Sequence, residues 1–358
     1  MTKYPRIIIN IKKLKHNIEA LVRMGKKFGV SIAAVTKVFC ADDEVVSMLD
    51  STDIAYLSDS RIENLEHIGR REHDRMLLRV AMQSELERVV KNAEISCHSD
   101  FSTISMLGKI AAVEKLKNKH KVVLMIDVGD LREGIPFYDL ELIRDTARAI
   151  FKFDSLELFG IGTNVTCFGG VLPDESNMNA LLNIKLFLEN EFSIKIPMVS
   201  GGNSSAVEFM QAGNLPIGIN NLRLGESYAL GKDTAYSTHI DGLYEDAVLL
   251  EAELVEVYEK PSVPIGTSSL NAFGEPVAFV DKGRMKRGIL AIGRQDIIET
   301  GLTPLENIVI EGASSDHLIV NLNDTPKLKT GMVLSFIPNY GALLRAMTSQ
   351  YVKKTYVK

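Results

Sequence analysis

A single lysine, Lys37, ends the apolar run SIAAVTKVFC, and an ammonium at the edge of a core must be paired, neutralised or reactive. A partly desolvated lysine loses basicity, so near neutrality it can act as a nucleophile toward carbonyls and as a proton acceptor. The plain alternative is a strand end whose charged side chain snorkels into water. Further along, Arg132 follows VVLMIDVGD, Asn164 and Cys167 lie in LFGIGTNVTC, Ser204 and Ser205 follow PMVSGG, and Arg223 sits in NNLRLGES. The Gly-Gly-Asn-Ser-Ser stretch lets backbone approach an anion and then opens a helix, whose free N–H groups favour phosphate. Taken alone, such a turn is more often a strand-to-helix connection with a serine cap. The seven histidines are scattered, and no ligand set for a metal stands out.

What positions these residues is an alternation of strand and helix. After a first short strand, KKLKHNIEALVRMGKKFG carries Leu14, Ile18, Leu21 and Val22 at helical spacing, and Gly29 is placed to stop that helix. The same alternation recurs through DIAYLSDS, RMLLRVAM, EISCHSD, HKVVLMIDVGD, LELFGIGTNVTCF, IPMVSGGN and NNLRLGES, each followed by a helical pattern. Strand and helix in turn imply parallel pairing, and a count near eight predicts an α/β fold with a closed (β/α)8 barrel of the TIM type over residues 1–235. From about Tyr236 the texture changes to short β-branched runs such as AVLLEAELVEVY and NIVIEGASSDHLIVNL. Residues 236–358 are therefore expected to form a separate, mainly β domain, with the first strand of the chain a candidate to pair with it. In such a barrel the reactive face lies at the C-terminal strand ends, where Lys37, Arg132, Asn164, Cys167, Ser204 and Arg223 all fall. A lysine able to form a Schiff base, an anion cradle and two arginines at one mouth are what a pyridoxal 5′-phosphate site requires.

Seven stretches, AAVTKVFCAD, MIDVGDLREGI, GGNSSA, LRLGESYALG, IGRQD, SSDHLIV and IPNYGALLRAM, together resemble the alanine racemase fold family, fold type III pyridoxal phosphate enzymes. Within it they resemble most the ornithine racemase branch of the alanine/ornithine racemase group. The resemblance runs nearly the full length. It implies a barrel with a C-terminal β domain, a homodimer with shared sites, and racemisation of a free amino acid at Cα. Lys37 would hold the cofactor and exchange protons with the substrate, with Arg132 near the substrate carboxylate. Arg223 would face the pyridine nitrogen; an ion pair with Glu226 is the competing reading of that arginine. Gly202, Ser204, Gly225 and Tyr340 would bind the phosphate, and Asn164 stands where many members have a histidine near the cofactor.

The chain departs from the pattern at AIGRQD. Arg294 occupies the place of a tyrosine that serves alanine racemases as second base, and an always-charged guanidinium is a poor base. Three readings stay open for that role: Cys167, Arg294 acting electrostatically beside a water, or a residue outside the motifs. The change also points away from alanine toward a basic substrate such as ornithine, whose distal ammonium needs an acidic partner. Asp296 and Asp316 are the candidates, with Arg294 beside them. An alanine or broad-specificity racemase is the nearest alternative, then a fold type III decarboxylase or aldolase, then a pyridoxal phosphate carrier. The decarboxylases' C-terminal cysteine motif is missing, since all three cysteines precede residue 168.

The totals agree with a small-molecule enzyme. The 358 residues carry a formal charge of −5 with 46% apolar content, without the basic excess that nucleic-acid binding shows. No apolar run approaches a membrane span, and Cys40, Cys97 and Cys167 form no CxxC pair, so a reducing cytoplasm is expected.

Overall fold

The computed structural model describes residues 3–114 and 116–358. They form two compact units: Ile11–Glu245, and Asp246–Lys358 together with the first strand, β1 (Arg6–Asn10).

In the first unit, α1 (Ile11–Lys27) leads into β2 (Ser31–Val35), α2 (Asp43–Asp50), β3 (Tyr56–Asp59), α3 (Ile62–Ile68), β4 (Arg75–Leu77) and α4 (Leu86–Asn92). There follow β5 (Ile95–His98), α5 (Phe101–Glu114), β6 (His120–Asp127), β7 (Ile135–Pro136), α6 (Leu140–Phe151), β8 (Leu156–Gly162) and α7 (Glu175–Phe192). The last elements are β9 (Met198–Ser200), α8 (Val207–Gln211), β10 (Asn221–Leu224) and α9 (Glu226–Leu230). Strands β2, β3, β4, β5, β6, β8, β9 and β10 pair in parallel, and β10 returns to β2 to close the barrel; β7 adds only to the outer end of β6. The helices form because their apolar residues recur on one face. In α1, Leu14, Ile18, Leu21 and Val22 are buried, and the chain leaves the helix through Gly29 at φ +70°, a conformation that costs glycine little. Inside the barrel Met76, Ile95, Cys97, Val123, Met125 and Met198 pack as one cluster from alternate strand positions.

The division between units falls at Glu245/Asp246 rather than at the expected 235/236. Asn17, fully buried on α1, explains the difference. Its amide nitrogen donates to the carbonyls of Tyr228 (3.0 Å) and Tyr244 (2.9 Å), and its oxygen accepts from the Tyr244 N–H (2.7 Å), so the segment up to 245 is stitched to the barrel.

The second unit consists of β11 (Val248–Pro261), β12 (Arg284–Leu290), β13 (Leu302–Pro304), β14 (Val309–Ala313), β15 (Leu318–Asn321), β16 (Val333–Pro338), α10 (Tyr340–Thr348) and β17 (Lys353–Val357). Its sheet runs β13-β16-β11-β12-β15-β14, and β1 joins it, antiparallel to β11 and parallel to β17. Among the described residues no helix is long and apolar enough to cross a membrane.

Candidate active site

Strand β2 ends at Val35, and the chain tightens into a one-turn 3-10 helix, Lys37–Phe39, whose first residue is the half-buried Lys37. The turn before it is held from below. The Thr36 hydroxyl donates to the carboxylate of buried Asp59 on β3 (2.6 Å), and Asp59 also accepts from the Arg61 N–H (2.9 Å) and the Asn64 amide (3.0 Å). Burial raises the Asp59 pKa, with these donors pulling against it. Glu226, at the start of α9, lies within electrostatic range of Lys37. Its pKa is raised by burial, while the Thr234 hydroxyl (2.8 Å) and the lysines lower it.

Arg223 lies near the end of β10 and is 4% exposed. Its guanidinium donates to the Ser200 hydroxyl, the Thr163 carbonyl (2.5 Å) and the Asn164 amide oxygen (2.6 Å). Burial lowers its pKa. The competing reading of Arg223 is corrected here: it makes no ion pair with Glu226, which turns instead to Thr234. Asn164 donates its amide to Glu133, and Glu133 in turn holds Arg132 through both Nε and Nη2, the latter at 2.6 Å. Arg132, Asn164 and Arg223 are thus brought together, with Glu133 joining them.

Cys167 belongs to the same mouth. Asp130, 1% exposed, accepts the backbone N–H groups of Cys167 (3.1 Å), Phe168 (2.9 Å) and Val171 (3.2 Å), which pins this loop to the one carrying Arg132. The Asn203 amide donates to the Cys167 Sγ at 3.2 Å. Desolvation raises the thiol pKa more than the nearby Arg132 lowers it. Cys97, in the barrel core, is pushed up to about 11 by burial and is inert.

At the end of β9, Gly202 takes φ +123° and its carbonyl accepts the Arg223 N–H (2.9 Å). The buried Ser204 hydroxyl accepts the N–H groups of Gly225 (3.3 Å) and Ser227 (3.1 Å), so Gly202, Ser204 and Gly225 form one corner. Two buried hydroxyls at this end, Thr163 Oγ1 and Ser205 Oγ, have no hydrogen-bond partner among the described residues. Burying a hydroxyl unsatisfied is costly, and together with a buried guanidinium touching only neutral groups they mark a site with polar capacity to spare for an anionic ligand.

The remaining candidates are in the second unit. Arg294 is clamped by Glu275 (2.6 Å) and Glu299 (2.6 Å) and stacks over Phe273 at 4.7 Å; these carboxylates raise its pKa further. Asp296 is 7% exposed and accepts from the Ser349 hydroxyl (2.6 Å), whereas Asp316 is exposed beside Ser315. The two segments that carry them do meet: the N–H groups of Arg294 and Gln295 donate to the carbonyls of Ser314 (2.8 Å) and Ser315 (3.0 Å). Tyr340 opens α10, which Asn339 caps by accepting from the Ala342 N–H (2.9 Å). Sequence reasoning missed Glu133, Asn203 and Ser200. The one signal for Glu133 was its position next to Arg132.

Residues 9–229 match the alanine racemase N-terminal domain family. The chain belongs to that family. It is 43% identical over 353 residues to the ornithine racemase of Acetoanaerobium sticklandii, covering 98% of this chain and 99% of the relative. To the lysine racemase of Thermotoga maritima it is 39% identical over 356 residues, covering 99% and 98%. In fold it is similar to the alanine racemase of Bartonella henselae with covalently bound pyridoxal phosphate, at a TM-score of 0.75, 17% identity, and coverage of 99% and 100%.

Proposed function

We propose that the protein is a pyridoxal-phosphate-dependent racemase of a free basic amino acid, ornithine or lysine, working in the cytoplasm as a homodimer. What supports this reading is the hydrogen-bonded group of Arg132, Glu133, Asn164 and Arg223 at the barrel mouth, with Lys37 in the turn that follows β2 of the same barrel, in a chain whose full-length relatives are named for those two substrates. The residues present fit the cofactor: a buried guanidinium with only neutral contacts, a lysine at the strand end, two unpartnered hydroxyls, and an open glycine at 202 where an added Cβ would come no closer than 3.7 Å to Val165.

Lys37 would hold the cofactor, Arg223 its ring nitrogen, and Gly202, Ser204 and Gly225 its phosphate. When bound, the group supplies an electron sink that acidifies the Cα hydrogen. The chain supplies the rest. Arg132 orients the substrate carboxylate by charge-assisted hydrogen bonds. The Lys37 amine takes the Cα proton on one face, and the Cys167 thiol, kept protonated near neutrality by its raised pKa, returns one on the other. Because a guanidinium donates to the ring nitrogen without giving up its proton, Arg223 limits charge withdrawal and favours simple proton exchange. Resemblance alone supports Tyr340 at the phosphate; Arg294, Asp296 and Asp316 are placed at the substrate side chain by the acidic partner that a distal ammonium needs and by their nearness in sequence. Each carboxylate accepts a serine hydroxyl, Asp316 from Ser315 and Asp296 from Ser349, but Asp316 is exposed and Asp296 buried, so Asp316 is the better disposed toward a distal ammonium.

The test is incubation of cofactor-loaded protein with L-ornithine in heavy water, following chirality and deuterium at Cα. The expected result is loss of optical rotation with deuterium in both enantiomers, and a fall in rate of about 10²- to 10⁴-fold or more in Lys37→Ala, the range general acid–base groups contribute. Retained rotation with ornithine and lysine alike would overturn the reading, and release of carbon dioxide or an aldehyde would redirect it to a decarboxylase or aldolase.

A further inference from the structure

Arg132, Glu133, Asn164 and Arg223 form a continuous chain of hydrogen bonds across the barrel mouth, drawn from the loops after β6 and β8 and from strand β10. Its two ends are cations in different settings. Arg132, 40% exposed, holds Glu133 by two contacts. Arg223 is buried and touches a hydroxyl, a carbonyl and an amide oxygen, but no carboxylate. Between them stands the Asn164 amide. A guanidinium only donates and an ionised carboxylate only accepts, so the amide must turn its oxygen to Arg223 and its nitrogen to Glu133.

We propose that Glu133 is a positioning residue for the racemisation assigned above: it fixes Arg132 directly and, through the oriented Asn164 amide, holds Arg223 in place without a counterion in contact. The chemical meaning of this arrangement rests on the proposed function; its geometry does not. One carboxylate serves two arginines unequally. Arg132 is partly neutralised, so it steers a substrate carboxylate without trapping it, while Arg223 keeps an undiminished donor for the group it faces. Placing the anion one residue closer, as aspartate at 164 would, makes a direct ion pair with Arg223 and sets two carboxylates against each other. The electrostatics agree in direction: Glu133 opposes the lowering that burial imposes on Arg223, and on Arg132 it acts with Cys167 and Asp130 to outweigh burial.

The experiment uses the full-length chain in two forms. Loaded with pyridoxal phosphate, wild type, Glu133→Gln, Glu133→Asp and Asn164→Asp are compared in kcat and KM for L-ornithine and in the pH midpoint of the lysine-bound cofactor's visible absorption. Removing an anion disfavours the protonated chromophore, so Glu133→Gln lowers that midpoint, by about one pH unit, while Asn164→Asp raises it. In Glu133→Gln, kcat falls about tenfold or more without a rise in KM, because Arg132 is released toward the substrate carboxylate, and Glu133→Asp recovers most of the loss. In cofactor-free protein, urea unfolding of Glu133→Gln, Asn164→Ala and the double variant gives a double variant less destabilised than the sum of the singles. A midpoint and kcat unchanged in Glu133→Gln, no recovery in Glu133→Asp, or strictly additive unfolding would each overturn the proposal. If wild type itself forms no lysine-bound cofactor, the proposed function fails, and the unfolding cycle alone then decides whether Glu133 and Asn164 are coupled.

Discussion

Lys37 sits at a strand end that is itself held by a buried polar pair, Thr36 and Asp59. A carboxyl group with no exposed surface depends on every hydrogen bond it has, so Thr36→Val removes one at a cost of about 1–3 kcal/mol in unfolding free energy. Circular dichroism in urea would measure it. Lys37 itself was legible in the sequence as a lone charge ending an apolar run, and Arg223 as a charged residue at the strand end in NNLRLGES. Glu133 was not, since its partner Asn164 is 31 positions away and no periodicity links a loop residue to another loop. Cys167 gives the sharper functional prediction. A group acting as a base must first lose its proton, and this thiol's pKa is raised above its ordinary range, mainly by burial. Where Cys167 abstracts the proton, the rate therefore rises with pH into the alkaline range, and Cys167→Ala removes that rise and lowers racemisation about 10²- to 10³-fold. A pH–rate profile unchanged by Cys167→Ala would assign the second face to another group.

At the scale of elements, the site depends on what the strands leave out. Gly162 ends β8, and a Cβ there would lie 3.2 Å from the Met125 sulfur, 3.3 Å from Val123 and 3.4 Å from the Arg223 guanidinium. The absent side chain is the space into which β10 delivers its arginine. Gly162→Ala should cost about 1 kcal/mol or more through overpacking and lower kcat by displacing Arg223; activity and melting temperature measured on one preparation check both. An unaltered kcat with lowered stability would mean that Met125 and Val123 alone yield. The eight barrel strands were legible as elements because each is an apolar run followed by a 3.6-residue pattern. Their ends were less so: RMLLRVAM contributes only Arg75–Leu77 to β4, because pairing with β3 and β5 stops there and Arg79 turns to the buried Glu85. The boundary between units slipped for a similar reason. A texture change marks where β-branched runs begin, but the Asn17 side chain decides how far the barrel extends.

At the scale of the molecule, the first strand belongs to the unit that comes last in the chain. Ile7 and Ile9 on β1 have no exposed surface, and β1 is the partner through which β17 joins the sheet: Arg6–Asn10 pair residue by residue with Lys353–Val357 on one side and with β11 on the other. Nothing local in RIIIN states that its partners lie some 240 and 350 positions away; only its run of three isoleucines says it must be covered. A fragment of residues 246–358 therefore lacks the strand that bridges β11 and β17 and loses about 1.5–3 kcal/mol of apolar burial for each isoleucine, in addition to the ladder bonds. It should unfold or associate through its open edge. The fragment of residues 11–245 keeps a barrel closed by β10 against β2 and should hold its secondary structure, since among the described residues none of its strands pairs outside it. Appending residues 1–10 to the C-terminus of the 246–358 fragment through a flexible linker restores the missing strand and should return a cooperative unfolding transition. Analytical ultracentrifugation with thermal melts on the three fragments distinguishes the outcomes. A 246–358 fragment that is monomeric and cooperatively folded without β1 would show that the sheet's stability lies in β11, β12 and β16 alone.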